Sequence, residues 1–129
     1  MNNMDWYNAL NKPFLTPPAW LFGVVWPILY ILMAVSLIIF ISSGLNKKKI
    51  LPLILFFVQL GLNLLWSPIF FDYQDILVAL IVIVTLWLLV LFTLLAFYRH
   101  SKIAGLLLLP YLLWITFATY LNIGFWVLN

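Results

Sequence analysis

The sequence has no cysteine and no glutamate, three aspartates (Asp5, Asp72, Asp75) and one histidine, His100. Without cysteine there are no disulfides, thiol nucleophiles or thiolate metal sites. One histidine and three scattered aspartates cannot build a metal cage, so no metal is expected. They also leave no Ser-His-Asp arrangement inside an apolar segment. Only 7% of residues are charged, whereas soluble domains carry about 25%. That is too little polar surface to cover a water-soluble fold, so the solvent must be lipid. The basic residues are too few and too scattered to form a nucleic-acid footprint. His100, next to Arg99, reads as a solvated or headgroup-facing loop residue. The N-terminus contains Asp5 and lacks a basic region, which argues against a cleavable signal peptide.

What is present is apolar and aromatic. Hydrophobic residues make up 67% of the chain and aromatic residues 19%, with seven tryptophans. A helix needs about 20 apolar residues to cross the hydrocarbon core. Stretches of that length lie at about 17–41, 50–71, 76–98 and 103–126. The expectation is an all-α integral membrane protein, a compact bundle of four transmembrane helices forming one domain over residues 1–129. Thr16-Pro17-Pro18 is a helix start, with Thr as N-cap and Pro where no donor is needed. Pro27 and Pro110 lie inside spans and are expected to bend them. Residues 1–16 mix polar groups with Trp6, Tyr7, Phe14 and Leu15, and read as an interfacial segment capping one mouth of the bundle.

The loops alternate in charge. Lys47, Lys48 and Lys49 join the first two spans; Arg99, His100 and Lys102 join the last two; Asp72 and Asp75 lie between the second and third. The positive-inside rule then makes the loops at 42–49 and 99–102 cytoplasmic, with Lys12 a modest counter-signal.

Residues three and four apart share a helix face. Phe22, Trp26, Tyr30 and Met33 form one such stripe on the first span. Gln59, Asn63, Trp66 and Phe70 form one on the second, and Tyr111, Trp114, Ala118 and Asn122 one on the fourth. A lone carboxamide in a membrane helix commonly serves as a polar packing contact, and a Trp near a span end as an interface anchor. The anchor reading suits Trp6, Trp20 and Trp126, and Trp87 least because it lies mid-span. Trp26, Trp66 and Trp114 are different, because each shares a stripe with other aromatic or polar residues. Indoles with a carboxamide between them suit a flat, largely apolar ligand: rings stack on its faces and one polar group sets its orientation. No ionisable residue lies mid-span, which argues against an ion-coupled pump and against a small multidrug exporter with a membrane-embedded acid.

Three segments carry a resemblance. Trp6-Tyr7-x-x-Leu10-x-Lys12-Pro13-x-x-x-Pro17-Pro18-x-Trp20-x-Phe22-x-x-Val25-Trp26-x-x-Leu29-Tyr30 resembles the opening signature of the TspO/MBR family. Gln59-Leu60-x-Leu62-Asn63-x-x-Trp66-x-Pro68-Ile69-Phe70-Phe71 resembles its middle-helix motif. Pro110-Tyr111-Leu112-x-Trp114-x-x-Phe117-Ala118-Thr119-x-Leu121-Asn122 resembles its last-helix motif. The resemblance implies a helical bundle with a pocket for tetrapyrroles and synthetic benzodiazepine- or isoquinoline-type ligands. By motif position, Trp6, Trp26, Asn63, Trp66, Phe70, Trp114, Ala118 and Leu121 would line or cover that pocket. It also implies a porphyrin- or haem-binding sensor or regulator, with transport or light- and oxygen-dependent porphyrin breakdown as further activities. Trp26 and Trp114 match the family's reactive tryptophans, giving up an electron to a photo-excited porphyrin that brings its own chemistry. No resident cofactor is implied. A non-catalytic scaffold without ligand binding is the competing reading.

Two departures from the family pattern shape further expectations. The family usually has a span before the Trp6-Tyr7 segment, whereas five residues precede Trp6 here. One pocket wall would then open to lipid beside the first span, and a second copy could fill the gap as a homodimer. The stretch matching the animal cholesterol motif, Asn122 to Val127, lacks its Tyr and its basic residue, so cholesterol is not an expected partner. A looser pattern at Leu95, Tyr98 and Lys102 reads as interface anchoring. A bacterial cell membrane is the expected location.

Overall fold

The computed structural model describes residues 9–14, 16 and 19–129. They form helices α1 (Ala19–Ser42), α2 (Ile50–Ser67), α3 (Ile76–His100), α4 (Lys102–Leu107) and α5 (Leu109–Leu128), with no strand among the described residues. A short turn at Lys47–Lys49 leads into α2, and a wide turn at Pro68–Asp72 leaves it. Among the described residues, four helical stretches are long and apolar enough to cross a membrane: Trp20–Ser42, Lys47–Asp72, Ile76–His100 and Lys102–Leu128. The expected all-α bundle of four spans is therefore observed.

These segments are helical because lipid offers no partners to backbone polar groups, which must pair within the segment. Their outer faces are as apolar as their inner ones. Ile31, Ile38, Ile54 and Ile81 are each more than half exposed, an ordinary surface in lipid and an aggregation liability in water.

Side chains cap three of these helix ends, although not the starts of α2 and α5. Asp75 accepts from the Val78 amide at 3.1 Å to start α3, and Ser101 accepts from the Ala104 amide at 3.3 Å to start α4. At the end of α1, Lys49 turns inward and is 4% exposed. Its ammonium donates to the carbonyls of Phe40 (2.8 Å) and Gly44 (2.6 Å) and to Ser43 Oγ (2.6 Å). A cation on the last carbonyls of a helix opposes their partial negative charge.

The fourth span is not the single helix expected over 103–126. It breaks at Leu108, between α4 and α5. Pro110 has no amide to give the Leu106 carbonyl, and its ring crowds that carbonyl, so the turn before it cannot continue as an α-helix. By contrast, α1 runs through Pro27 without interruption. After α2, the amide of Tyr73 reaches back five residues to the Pro68 carbonyl at 3.0 Å. This π-type turn carries Phe70 and Phe71 out of simple α-helical phase.

The most extensive helix packing is of α2 on α3, of α3 on α4 and α5, and of α1 on α4. Gly105 lets α4 lie directly against the end of α3: a Cβ there would lie 2.6 Å from Tyr98 Cβ and 2.7 Å from Tyr98 Cα. At the same end, near the basic loops, Phe97 stacks on Phe40 (4.0 Å, 4°) and on Phe56 (5.7 Å, 8°), joining α3 to α1 and α2.

The capping segment expected over 1–16 is described only in part, and Trp6, Tyr7, Leu15, Pro17 and Pro18 lie outside the described residues. Its described part lies along the last turns of α5. Pro13 fills the notch left by Gly124, where a Cβ would come within 2.5 Å of the proline ring. Asn11 and Asn129 bond reciprocally: the Asn11 amide donates to Asn129 Oδ1 at 3.1 Å, and Asn129 Nδ2 donates to the Asn11 carbonyl at 2.9 Å.

Candidate ligand pocket

The three stripes face one another where α1, α2 and α5 converge. Each helix contributes one side chain per turn or so, and large side chains bridge helices whose backbones do not approach closely. Trp26 stacks on Tyr30 within α1 (5.9 Å, 29°) and meets Trp114 of α5 edge-on (6.3 Å, 89°). Phe22, one turn before Trp26, also meets Trp114 edge-on (5.6 Å, 68°).

Beneath these rings runs a chain of hydrogen bonds linking the three helices. The Tyr30 hydroxyl donates to Asn63 Oδ1. Asn63 Nδ2 donates to the Tyr111 hydroxyl at 2.9 Å, and that hydroxyl donates to Gln59 Oε1 at 2.8 Å. Gln59 Nε2 points at Met33 Sδ, 3.9 Å away. Asn63 is therefore engaged on both sides of its carboxamide by tyrosines of two other helices, and Gln59 is buried as polar glue. Such bonds hold membrane helices together because lipid supplies no substitute.

A second aromatic group lies towards the acidic loop. Trp66 is pinned by its indole N–H to Asn122 Oδ1 at 2.9 Å, and Asn122 Nδ2 donates to the Ile76 carbonyl at 3.0 Å. Phe70 stacks on Trp66 (5.2 Å, 26°) and meets Phe125 at 5.7 Å. Trp66, Phe70, Ala118 and Leu121 line a cavity here; Phe22, Phe71, Asn122 and Phe125 complete its wall. It encloses about 10 Å3, roughly the room of one water, and no charged side chain lines it.

One polar group stands out. Among the described residues, Trp114 Nε1 is the buried side-chain nitrogen or oxygen without a hydrogen-bond partner. An unpaired N–H in an apolar site costs about 1–3 kcal/mol unless something occupies it.

Of the sequence-predicted site residues, Trp66, Phe70, Ala118 and Leu121 share the cavity. Trp26 and Trp114 form the adjoining pair, Asn63 lies in the polar chain below, and Trp6 falls outside the described residues. Phe22, Phe71, Asn122 and Phe125 were not among them. Phe22 and Asn122 sit on the stripes, and Phe125 extends the α5 stripe by three residues, so that period could have found it. Phe71 carries no such signal, because the wide turn shifts the phase. Trp87 is no simple anchor: its N–H donates to Thr116 Oγ1 at 2.7 Å, tying α3 to α5.

The sequence model of the TspO/MBR family matches residues 1–127. The chain belongs to the TspO/MBR family. It is 47% identical over 125 residues to the Tryptophan-rich protein TspO of Archaeoglobus fulgidus, covering 96% of this chain and 80% of that one. It is 42% identical over 127 residues to Protein CrtK of Rhodobacter capsulatus, covering 96% and 78%. It is 38% identical over 125 residues to the Translocator protein of Homo sapiens, covering 95% and 74%. Together with the four apolar spans, membership of the TspO/MBR family makes this an integral membrane protein.

Proposed function

We propose that the chain is a membrane sensor or regulator that binds a porphyrin or haem-like tetrapyrrole between the α1, α2 and α5 stripes. The observation that carries this reading is the unpartnered Trp114 N–H, beside Trp26 and next to an uncharged aromatic cavity. Ring faces suit a planar macrocycle, and a lone buried donor suits one acceptor on it. Asn63 contributes by holding Tyr30, and through Tyr30 the Trp26 ring, in place. Trp6 would cover the site. The basic loops at 42–49 and 99–102 lie on the cytoplasmic side of a bacterial cell membrane in this reading, and a second copy forms a homodimer.

The test is titration of the purified protein with protoporphyrin IX, followed by tryptophan quenching. Saturable binding is expected. Replacing both Trp26 and Trp114 by Phe keeps the rings but removes both N–H groups, and should weaken binding about tenfold, or about 1.4 kcal/mol. Unchanged affinity in that double variant would defeat the pocket assignment, and no saturable binding to the unmodified chain would favour a scaffold.

The perpendicular Trp26–Trp114 pair also favours a second reading, light-driven breakdown of the bound pigment. The excited macrocycle takes an electron from an indole, and oxygen is the terminal oxidant. Porphyrin loss under illumination should exceed that with heat-denatured protein; equal rates would end the idea.

A further inference from the structure

Basic residues gather at one end of the molecule from two loops far apart in the chain. Lys49 Nζ lies 4.8 Å from the centre of the Phe40 ring, and His100 meets the same ring edge-on at 5.6 Å (85°). The turn at Lys47–Lys49 and the loop between α3 and α4 therefore share one surface. Ser36 of α1 also donates to the Ala104 carbonyl at 2.6 Å, which fixes α4 beside α1. Five of the six Lys and Arg residues of the chain stand here: Lys47, Lys48, Lys49, Arg99 and Lys102. Lys49 is engaged at the end of α1, and the other four are exposed. Among the described residues no acid lies near them, because Asp72 follows α2 and Asp75 starts α3 at the opposite end. The 25 residues of α3 separate the two ends by roughly 37 Å, several Debye lengths at physiological salt.

A second feature adjoins this patch. Ile50, Leu53, Ile54, Phe57 and Val58 line an open apolar groove of about 470 Å3 on the outer face of α2. Ile50, Ile54 and Phe57 are each more than half exposed. The groove begins one residue after the basic turn. Lys47 and Ile50 are three apart across a 3₁₀ turn, where side chains eclipse, and Ile54 and Phe57 continue the row down the helix. Lys47 thus stands directly over the mouth of the groove.

We propose that this end binds an anionic phospholipid: Lys47 and Lys48 hold its phosphate, Arg99 and Lys102 add to the field from the neighbouring loop, and one acyl chain lies along the α2 groove. Neither part suffices by itself. Basic loops flank membrane spans for reasons of topology, and apolar outer faces are ordinary in lipid. What distinguishes this end is their register on a single helix face, charge first and then groove, in the order of the headgroup and tail of one lipid. A soluble anion has no use for the groove. A second copy in the same membrane orientation would set its own basic end against this one, like charge on like. A zwitterionic lipid fills the groove and brings no net charge to the lysines. The anionic lipid meets both demands.

Native mass spectrometry of the full-length chain released from detergent tests this. Titration with dioleoyl phosphatidylglycerol or dioleoyl phosphatidylcholine reads the affinity of the first lipid bound. The anionic lipid is expected to bind about fivefold more tightly, the order of one basic residue at a membrane surface. Lys47→Gln together with Lys48→Gln should bring that ratio below about twofold, and Arg99→Gln together with Lys102→Gln should roughly halve it. Ile54→Trp fills the groove, and should weaken both lipids about fivefold while leaving their ratio unchanged. Lys12→Gln removes a charge at the opposite end and should change nothing. All these positions are exposed, so an unchanged melting temperature is expected throughout. Equal affinity for the two lipids in the unmodified chain overturns the proposal. So does a preference that survives both double replacements, or one lost as far in Lys12→Gln, which marks net charge alone. Displacement of the lipid by glycerophosphoglycerol as readily as by phosphatidylglycerol would mark a site for soluble anions. Loss of a dimer in Ile54→Trp with lipid binding intact would give the groove to a second copy. Either result overturns the lipid assignment.

Discussion

The two ends of this bundle are built from the same residue types and packed in opposite ways. Near the basic loops, Phe40, Phe97 and Phe56 lie nearly parallel, Gly105 lets α4 meet α3 at backbone distance, and Lys49 closes the end of α1 with three hydrogen bonds. Near the acidic loop stacked pairs such as Trp66–Phe70 are met edge-on by other rings, a small cavity remains, and an indole N–H has no partner. Phe40, Phe97 and Phe56 are fully buried and closely packed, whereas Phe22, Trp26 and Trp114 are half-buried at or beside a cavity. One end holds the bundle together, and the other has the slack a ligand needs.

The two glycines that accept close neighbours give the sharpest way to break this contrast. At Gly105 the intruding atoms belong to the Tyr98 backbone and Cβ, which cannot step aside. Gly105→Ala should cost about 3 kcal/mol, the upper range for overpacking, and lower the melting temperature in detergent markedly. Next in size, Lys49→Met leaves the Phe40 and Gly44 carbonyls without their charged donor. It should cost about 2 kcal/mol in the same assay. Tyr111→Phe removes the hydroxyl shared by Asn63 and Gln59. Membrane hydrogen bonds contribute modestly, so a loss of about 1 kcal/mol is expected, with the helices still associated. At Gly124 the neighbour is the Pro13 ring on a peripheral segment that can shift. Gly124→Ala should therefore change melting by no more than about 0.5 kcal/mol, while proteolysis near residues 10–14 becomes faster. A Gly105 variant as mild as the Gly124 one would show that the basic-loop end is not the rigid one.

Much of this was legible from spacing. Side chains three or four apart must share a face, so the Trp26, Trp66 and Trp114 stripes could be placed before any helix was seen against another. The pairing of the polar groups could not. Asn63 among indoles reads from sequence as a ligand contact, yet its partners Tyr30 and Tyr111 sit 33 and 48 residues away. Lys49 reads as one of three equivalent loop lysines, and only the position of the Phe40 carbonyl sends it inward while Lys47 and Lys48 stay exposed. Pro110 signals a disturbance in the fourth span, but not that the helix would end and restart around Leu108.

Sequence alone determined that the chain lives in lipid as helices, because apolar runs of that length with so few charges have no other solvent and no other way to satisfy their backbones. The tertiary structure decided which aromatic rings touch, which carboxamides are already engaged and which indole N–H is left over. Those outcomes depend on how far apart helix axes come to rest, a distance set jointly by side chains remote from one another in the chain.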